Sequence, residues 1–259
     1  MGLVIIAISV FLILFVFYML NNAFQDNVKE ETLEFYIFPN NIREFTIFFI
    51  SDIHRRKINS SIIDQVKGKA DAVIIGGDLT EKGVPYSRVS KNLKMLKDVA
   101  PVFFVWGNND YEVNNNQLSR TLKNCQVIEL KNEVYYIEKN EQKLAFIGVD
   151  DLTQELPPLE DILKQEGRNV FRILISHNPD IIHMLPEEHG ISLILSGHTH
   201  GGQIRVFGFG PYRKGGIRNI KGLTLLVSNG YGTTALPLRL GADAETHLIT
   251  IKNGKGYQA

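Results

Sequence analysis

The hydrophobic pattern along the chain is a series of short apolar runs that each stop at small or polar residues. Runs of about four to six residues rich in Val, Ile and Phe predict buried strands, because a strand covered on both faces lacks the usual polar alternation. Five such runs are followed at once by side chains that carry oxygen or nitrogen: 45–50, 72–75, 102–106, 171–175 and 191–195.

Helical spacing separates several of these strands. The clearest case is 86–99, where Val89, Leu93 and Leu96 recur on one face. Weaker patterns predict helices over 59–69, 117–125, 159–166 and 178–185. The alternation of strands and helices indicates an α/β fold.

The remaining apolar segments predict shorter strands outside this alternation. Residues 33–38 are predicted as an edge strand, and 126–130, 134–138 and 143–149 as a three-stranded meander. After Gly202 the pattern predicts strands again, over 203–207, 223–228 and 247–252. We therefore expect residues 33–259 to form one domain with two packed sheets.

The first apolar run is much longer than the others. Residues 2–20 carry no charge and no Pro, and a helix of that length spans roughly 28 Å, about the hydrocarbon thickness of a bilayer. A cleaved signal peptide is the alternative, but no Lys or Arg precedes the run and 21–24 matches a cleavage site poorly. We predict a retained single-pass anchor in the cell membrane over 1–22 and a juxtamembrane linker over 23–32. The flanking charges leave the side of the membrane open.

Composition limits the classes of molecule that the protein is expected to bind and the disulfides that it can form. The chain has 28 basic and 28 acidic residues, and this balance argues against non-specific binding of nucleic acid. Its single cysteine, Cys125, has no partner for an internal disulfide and is predicted to be a small buried residue.

Ligand-type side chains stand where the apolar runs end. Because the carboxyl ends of strands in an α/β sheet form its binding edge, we expect these side chains to converge. Imidazole and oxygen ligands without thiolate suit Mn²⁺, Fe or Zn²⁺. A set of hydrogen-bonded loop histidines is the alternative, and five strand ends in series favour the metal site. The seven candidates are Asp52, His54, Asp78, Asn108, His177, His198 and His200.

The five segments follow one another in an order that resembles that of a known protein family. The motifs are Asp52-Ile-His54, Gly77-Asp78, Gly107-Asn108-Asn109-Asp110, Ser176-His177 and Gly197-His198-Thr199-His200. This series resembles the calcineurin-like metallophosphoesterase superfamily. The N-terminal apolar segment and residues 176–180, 196–203 and 230–239 are similar to its membrane-associated bacterial branch. The resemblance implies a four-layer αββα sandwich of two mixed sheets with a dinuclear metal centre between them.

The resemblance also implies roles for the candidates. Asp52, His54 and His200 would bind the first metal ion, Asp78 would bridge both, and Asn108, His177 and His198 would bind the second. The implied metal is Mn²⁺ first, with Fe or Zn²⁺ as alternatives.

The expected activity is hydrolysis of phosphomonoesters or phosphodiesters by a metal-bridging hydroxide, on a lipid or cell-envelope substrate. A nucleotide or cyclic-nucleotide phosphodiesterase is one alternative. A metal-free binding scaffold on the same fold is the other, and the complete set of ligand positions weighs against it.

One position departs from the family pattern. The third motif of the family reads Gly-Asn-His followed by Asp or Glu, whereas this chain has Asn109 before Asp110. The family's histidine contacts the scissile phosphate and assists the leaving group. Asn109 can donate a hydrogen bond to the phosphate, but it cannot donate a proton near neutral pH. By their positions in this motif, Asn109 and Asp110 are the candidate catalytic residues.

Other polar residues are weaker candidates. Arg55, Arg56 and Lys57 are predicted either to meet an anionic substrate or to form a solvated loop, and Arg213, Lys214 and Arg218 to line the same groove. His183, His189 and His247 are predicted to be surface or helix-terminal residues, and Asp150 and Asp151 to be turn residues.

Overall fold

The computed structural model of the protein describes residues 1–164 and 170–254, which contain two six-stranded sheets. The first sheet consists of β1 (Val28–Phe35), β2 (Phe45–Ile50), β3 (Ala72–Gly76), β4 (Val102–Val105), β5 (Ile128–Glu129) and β12 (Thr246–Asn253). Their order is β1-β12-β2-β3-β4-β5. Strands β2 to β5 are parallel to one another, while β1 and β12 run in the opposite direction.

The second sheet is also mixed. It consists of β6 (Glu133–Lys139), β7 (Gln142–Gly148), β8 (Phe171–Ile175), β9 (Leu193–Ser196), β10 (Gly216–Ile220) and β11 (Leu223–Val227). The order is β10-β11-β9-β8-β7-β6, with parallel inner strands and an antiparallel strand at each edge.

The two sheets pack face to face, and helices cover their outer faces. Phe49, Phe103, Phe146 and Leu195 belong to the core between the sheets. The first sheet is covered by α2 (Ser60–Val66), α3 (Tyr86–Lys97) and α4 (Asn115–Asn124), and the second by α5 (Leu159–Leu163) and the 3-10 helix Pro179–Met184. This arrangement confirms the predicted αββα sandwich. It also explains why every residue of β2 is buried, since both faces of that strand are covered.

The pairing of the short strands differs from the prediction. The sequence predicts a meander over 126–130, 134–138 and 143–149. In the structure β5 pairs with β4 in the first sheet, and only β6 and β7 form a hairpin in the second. Residues 203–207 form isolated bridges instead of a strand, and β10 lies where no strand is predicted. The reason is that apolar alternation reports which face is buried and carries no information on the neighbouring strand.

Helix positions agree with the prediction more closely than helix ends. The helix predicted over 59–69 is α2, with the Asn59 side chain as its N-cap, accepting from the backbone N–H of Ser61. The segment predicted over 178–185 is a 3-10 helix. Helix α5 ends at Leu163, and the C-terminal part of the helix predicted over 159–166 lies outside the described residues.

The N-terminal helix ends against the globular part of the protein. Helix α1 (Gly2–Ala23) is, within residues 1–164 and 170–254, the one helix long and apolar enough to cross a membrane. Its last turn is packed into the domain, where Met19 and Ala23 are buried. The predicted linker over 23–32 is too long, because β1 pairs with β12 from Val28 onward. The connection between helix and strand is therefore 24–27, and the predicted edge strand is β1.

Candidate metal centre

The loops after five strands meet at one edge of the sandwich and hold their ligand-type residues in an unusual backbone conformation. Five of these residues are in the left-handed region, which costs a residue other than glycine about 1–3 kcal/mol and persists only where the surroundings impose it. The φ angles are +55° for Asp52, +51° for His54, +51° for Asp78, +71° for His198 and +50° for His200.

Backbone hydrogen bonds between loops hold these conformations in place. The N–H of Asp52 donates to Gly77 O at 3.0 Å, and the N–H of His54 donates to Asp78 O at 3.1 Å. Gly107 leaves room for Asp78, since a Cβ at position 107 would lie 2.3 Å from Asp78 Oδ1. The loops are thus held to each other by contacts within the protein.

Asp52, His54 and His200 form a first buried group. Nε2 of His200 lies 3.4 Å from Oδ1 of Asp52 and 3.2 Å from Nε2 of His54. One ligand atom from each of the three residues lies within 4.8 Å of the others, which is close enough to surround one ion. These are the three residues that the family resemblance assigns to the first metal.

Asp78 and His177 form a second buried group, which shares Asp52 with the first. Oδ2 of Asp78 lies 3.2 Å from Nε2 of His177 and 3.6 Å from Nε2 of His54. One oxygen of Asp78 therefore faces an imidazole from each group. That position fits a carboxylate shared by two cations.

Asn108 and His198 lie at the more open side of the site. Nδ1 of His198 is 3.0 Å from Oδ1 of Asn108, and the backbone N–H of His198 donates to Oδ1 of Asp52 at 3.0 Å. All seven candidates are consequently brought to one place by loops from both sheets.

The hydrogen bonding of His177 tests whether a cation fits. Its Nδ1 lies 2.9 Å from the carbonyl oxygen of Gly76 and must donate there, so Nε2 of the neutral ring carries a lone pair. This Nε2 lies 3.2 Å from Oδ2 of the buried Asp78 carboxylate. Burial disfavours the charged ring, yet Asp78 raises the pKa of His177 above its ordinary value. The pair attracts positive charge, which a divalent cation supplies.

His200 is prepared as a neutral ligand. Burial lowers the pKa of His200 to about 4 although the nearby Asp52 acts to raise it, and the positive charge of Arg239 acts in the same direction as burial. A neutral imidazole is the form that binds a metal ion. The ligand set and its protonation therefore both fit divalent metal ions.

Residues 45–202 match the sequence pattern of the family described as Calcineurin-like phosphoesterase. The match covers more than half of the chain and includes all seven candidates. The chain belongs to this family. It is a metallophosphoesterase, an enzyme that hydrolyses phosphoric esters, and the family and the ligand groups together indicate divalent metal ions.

The chain is also similar to individual proteins and to solved structures. The chain is 48% identical over 208 residues to the uncharacterized protein YpbG of Bacillus subtilis, with 80% of each chain covered. It is 31% identical over 183 residues to phosphodiesterase YaeI of Escherichia coli, with 65% of each chain covered. The solved structure of a 5′-nucleotidase precursor from Thermus thermophilus has the same fold, with a TM-score of 0.54 at 12% identity. That match covers 80% of this chain and 55% of the nucleotidase.

Two polar residues that the sequence does not identify support the ligands of this metallophosphoesterase. Nδ1 of His54 lies 3.0 Å from Oε2 of Glu81, and Glu81 also accepts from Nε of Arg55. An acceptor on one ring nitrogen fixes the tautomer and leaves the other nitrogen for the metal. Arg55, predicted to meet substrate or solvent, thus holds Glu81. The position of Glu81 three residues after Asp78 is the only sign of this role in the sequence.

Replacing Glu81 by alanine is expected to weaken metal binding by about 10- to 100-fold, because the His54 ring loses the acceptor that orients it. Titration of the metal-depleted full chain with Mn²⁺ against a fluorescent chelator measures this change. Glu81→Gln keeps an oxygen acceptor for His54 and is expected to retain most of the affinity. Equal affinity in Glu81→Ala and the unmodified protein would contradict the supporting role.

Arg239 is the second supporting residue. Its guanidinium is fully buried and donates to the carbonyl oxygens of Asn229 at 2.6 Å, Gly232 at 2.6 Å and Ala242 at 2.8 Å. The same group lies 3.3 Å from Nδ1 of His200. Arg239 therefore ties the C-terminal loops together behind a ligand of the candidate site.

Asn109 and Asp110 have different environments. Asn109 lines the cleft above the ligands, and its backbone N–H donates to Oδ1 of Asp78 at 2.8 Å. Asp110 is fully buried and accepts from the N–H groups of Thr80 and Gly107 at 3.0 and 2.9 Å. Burial and the nearby Asp78 raise its pKa to about 7. Both oxygens of Asp110 are thus used to shape the loop, which makes it a positioning residue.

The histidines and aspartates that are not assigned to the metal site lie in several different parts of the fold. His247 is predicted to be a surface or helix-terminal residue, but it is fully buried in β12, 3.1 Å from Glu31, because β12 lies between β1 and β2. His183 is exposed and His189 half-buried. Asp150 is a buried partner of Tyr111 and Lys131 and not a simple turn residue. The other predicted turn residue, Asp151, is also buried, and its carboxylate accepts from Thr153.

The basic candidates also separate. Arg56 faces the end of α1 and donates to the carbonyl oxygens of Phe24 and Gln25. Lys57 is exposed, as are Arg213 and Lys214, and Arg218 is half-buried and donates to Lys214 O. These four residues are not among those that line the cleft, in the part of the chain that the structure describes.

Proposed function

We propose that this metallophosphoesterase hydrolyses phosphomonoesters or phosphodiesters at a dinuclear metal centre. Asp52, His54 and His200 would hold one ion, Asn108, His177 and His198 the other, and Asp78 would bridge them. The observation that carries the proposal is the position of Asp78 Oδ2 between the rings of His177 and His54. We propose Mn²⁺ as the native metal, with Fe or Zn²⁺ as alternatives that elemental analysis distinguishes.

When bound, such ions polarise a phosphoryl oxygen and activate water for in-line attack. The protein's own part is to bind and orient the ester. The Asn109 side chain at the cleft wall donates to a phosphate oxygen, and Tyr212 and Thr234 border the cleft opposite the ligands. Asp78, held by the Asn109 N–H, keeps its other oxygen directed at the metal side of the site.

We also propose that α1 is a retained membrane anchor over about 1–22 and that the residues from β1 to the C-terminus form the catalytic domain. The helix has 22 residues, about 33 Å in length, which suits a bilayer span. A cleaved signal sequence would not be built into the folded domain. Here Met19 O accepts from Arg239 N at 3.1 Å, and Asn22 O accepts from Ala244 N at 3.3 Å.

Hydrolysis of a panel of aryl phosphomono- and phosphodiesters by the full chain in detergent tests the activity. We expect turnover with Mn²⁺ that a chelator abolishes and that added Mn²⁺ restores. The two alternative functions give other results. A nucleotide phosphodiesterase would prefer nucleotide esters by a wide margin over lipid esters, and a scaffold would bind no stoichiometric metal.

Asn109→His is expected to raise the turnover of alkyl phosphoesters more than that of aryl phosphoesters. A histidine can donate a proton to a poor alkoxide leaving group, and general acid catalysis contributes about 10²–10⁴-fold, whereas aryl oxides leave without help. Parallel kcat measurements on an alkyl and an aryl diester give the comparison, and metal content should stay constant. Equal effects on both esters would mean that residue 109 only positions the phosphate.

A further inference from the structure

An exposed apolar surface lies beside the catalytic cleft and beside the end of α1. It consists of the loop 204–212 together with Leu236, and we call it the apolar rim. Phe207 is 96% exposed, Phe209 82% and Leu236 62%. Exposed aromatic residues in such a group mark a contact surface and are unusual on a face that meets only water.

The loop of the apolar rim is held by hydrogen bonds of its own. The backbone groups of Val206 and Phe209 exchange two hydrogen bonds of 2.9 Å, and Phe207 and Gly208 form the turn between them with φ of +50° and +83°. The guanidinium of Arg205 donates to carbonyl oxygens within the loop, those of Gly208 and Tyr212. A bulky aromatic residue is thus fixed at the tip of a turn in a backbone conformation that favours glycine.

The apolar rim is joined directly to the point where α1 leaves the domain. Arg239 N donates to Met19 O in the last turns of α1, and the next residue, Leu240, exchanges backbone hydrogen bonds with Gln203 and Arg205. The side chain of Gln203 donates to Leu236 O. A short series of backbone hydrogen bonds therefore connects the end of α1 to the apolar rim.

The length of α1 places the bilayer surface at this level. A span needs about 20 apolar residues, which uses nearly all of the helix up to Met19 and Leu20. On another side of the helix end, Lys57 and Arg88 line a cavity next to Phe24. Cations at the height of the headgroups favour an anionic lipid surface.

We propose that the apolar rim inserts into the lipid bilayer beside α1, so that the cleft opens at the membrane surface and takes phosphoesters of membrane lipids. This inference rests on the proposed anchor and activity and names the substrate class. The cleft supports it, because Gly202, Pro211 and Tyr212 at the base of the loop also line the cleft that contains Asp78 and His200. A lipid headgroup reaches the ligands from the bilayer without crossing open water.

Tryptophan quenching in the reconstituted full chain tests the docking. The protein has a single tryptophan, Trp106, which is buried and gives a constant background. In vesicles of phosphatidylcholine and phosphatidylglycerol with brominated acyl chains, we expect the tryptophan introduced by Phe207→Trp to lose at least half of its emission. Tyr36→Trp is the matched control, since Tyr36 is 83% exposed but follows the far end of β1, a strand of eight residues that is about 26 Å long.

Phe17→Trp, within α1, reports on the anchor itself. Quenching in Phe17→Trp and Phe207→Trp but not in Tyr36→Trp supports the proposal. Quenching in Phe17→Trp alone overturns it while the anchor stands. Absence of quenching in Phe17→Trp overturns the anchor and the docking together, and quenching in all three variants overturns a specific contact by the apolar rim.

The substrate class is tested in the same vesicles. The double variant Phe207→Ser/Phe209→Ser is expected to lower the rate on a diacylglycerol-linked phosphoester at least tenfold relative to the rate on a soluble aryl diester. An equal change on both esters overturns the role of the apolar rim in presenting the substrate. If the unmodified protein hydrolyses the soluble ester but no lipid ester, the lipid substrate is wrong and the phosphoesterase activity stands.

Discussion

Asp78→Ala is expected to lower kcat/KM on aryl phosphodiesters by about 10³-fold and to release most of the bound metal. Oδ2 of Asp78 faces an imidazole from each of the two groups, His177 at 3.2 Å and His54 at 3.6 Å. Its removal takes away negative charge that two cations at the proposed centre would share, and loss of a single preorganised electrostatic contact already costs about 10²–10³-fold in catalysis. Elemental analysis and steady-state kinetics on the full chain measure both effects.

The matched control is Asp64→Ala. It removes an exposed carboxylate from α2, which covers the outer face of the first sheet. This variant should keep full metal content and activity. Retention of metal and activity in Asp78→Ala would show that the bridging assignment is wrong. Loss of one equivalent of metal, with the other kept, would place Asp78 on a single ion.

Replacing Arg239 by methionine is expected to lower the free energy of unfolding by about 3–5 kcal/mol, in the range found when one partner of a buried charged network is removed. The Arg239 guanidinium is fully buried, and three loop carbonyl oxygens accept from it at 2.6 to 2.8 Å. Burial lowers the pKa of Arg239 to about 10, so the group is still charged near neutral pH. Methionine fills similar volume but leaves the carbonyl groups without donors.

Urea unfolding of the full chain in detergent, followed by the fluorescence of Trp106, measures this loss. Arg43→Met removes an exposed guanidinium and should change the free energy of unfolding by less than about 0.5 kcal/mol. A change below about 1 kcal/mol in Arg239→Met would mean that water replaces the guanidinium at the carbonyl groups. Metal affinity should fall as well, since the loop that carries His200 loses its tie to 229–232.

Some features of this protein follow from the sequence alone. The apolar runs at 45–50 and 171–175 coincide with β2 and β8, because a strand covered on both faces is mostly apolar. Thr46 in β2 and the half-buried Arg172 in β8 are the exceptions. The ligand-type residues lie in the loops after those strands, and parallel strands of one sheet end at the same edge. The order of the motifs was sufficient to predict the family and the αββα sandwich.

Other features depend on contacts between residues far apart in the chain. The local pattern does not predict that β5 pairs with β4 or that β12 lies between β1 and β2. Strand pairing depends on contacts between residues that are far apart in the sequence. Arg56 reads as a solvent-facing basic residue, yet its guanidinium lies 3.6 Å from the ring of Tyr231 and binds carbonyl groups at the end of α1. His247 reads as a surface residue, yet it is buried beside Glu31.

The sequence by itself determined which residues are apolar, where strands end and which side chains can bind a metal, because these properties belong to each residue and its neighbours in the chain. The tertiary structure decided how those residues are oriented. The left-handed conformations of Asp52 and Asp78, the support of His54 by Glu81 and the position of the apolar rim beside α1 all arise from packing between loops. A residue adopts such a strained conformation only where long-range contacts compensate for it. Those contacts form only when the chain folds, so the local sequence does not reveal them.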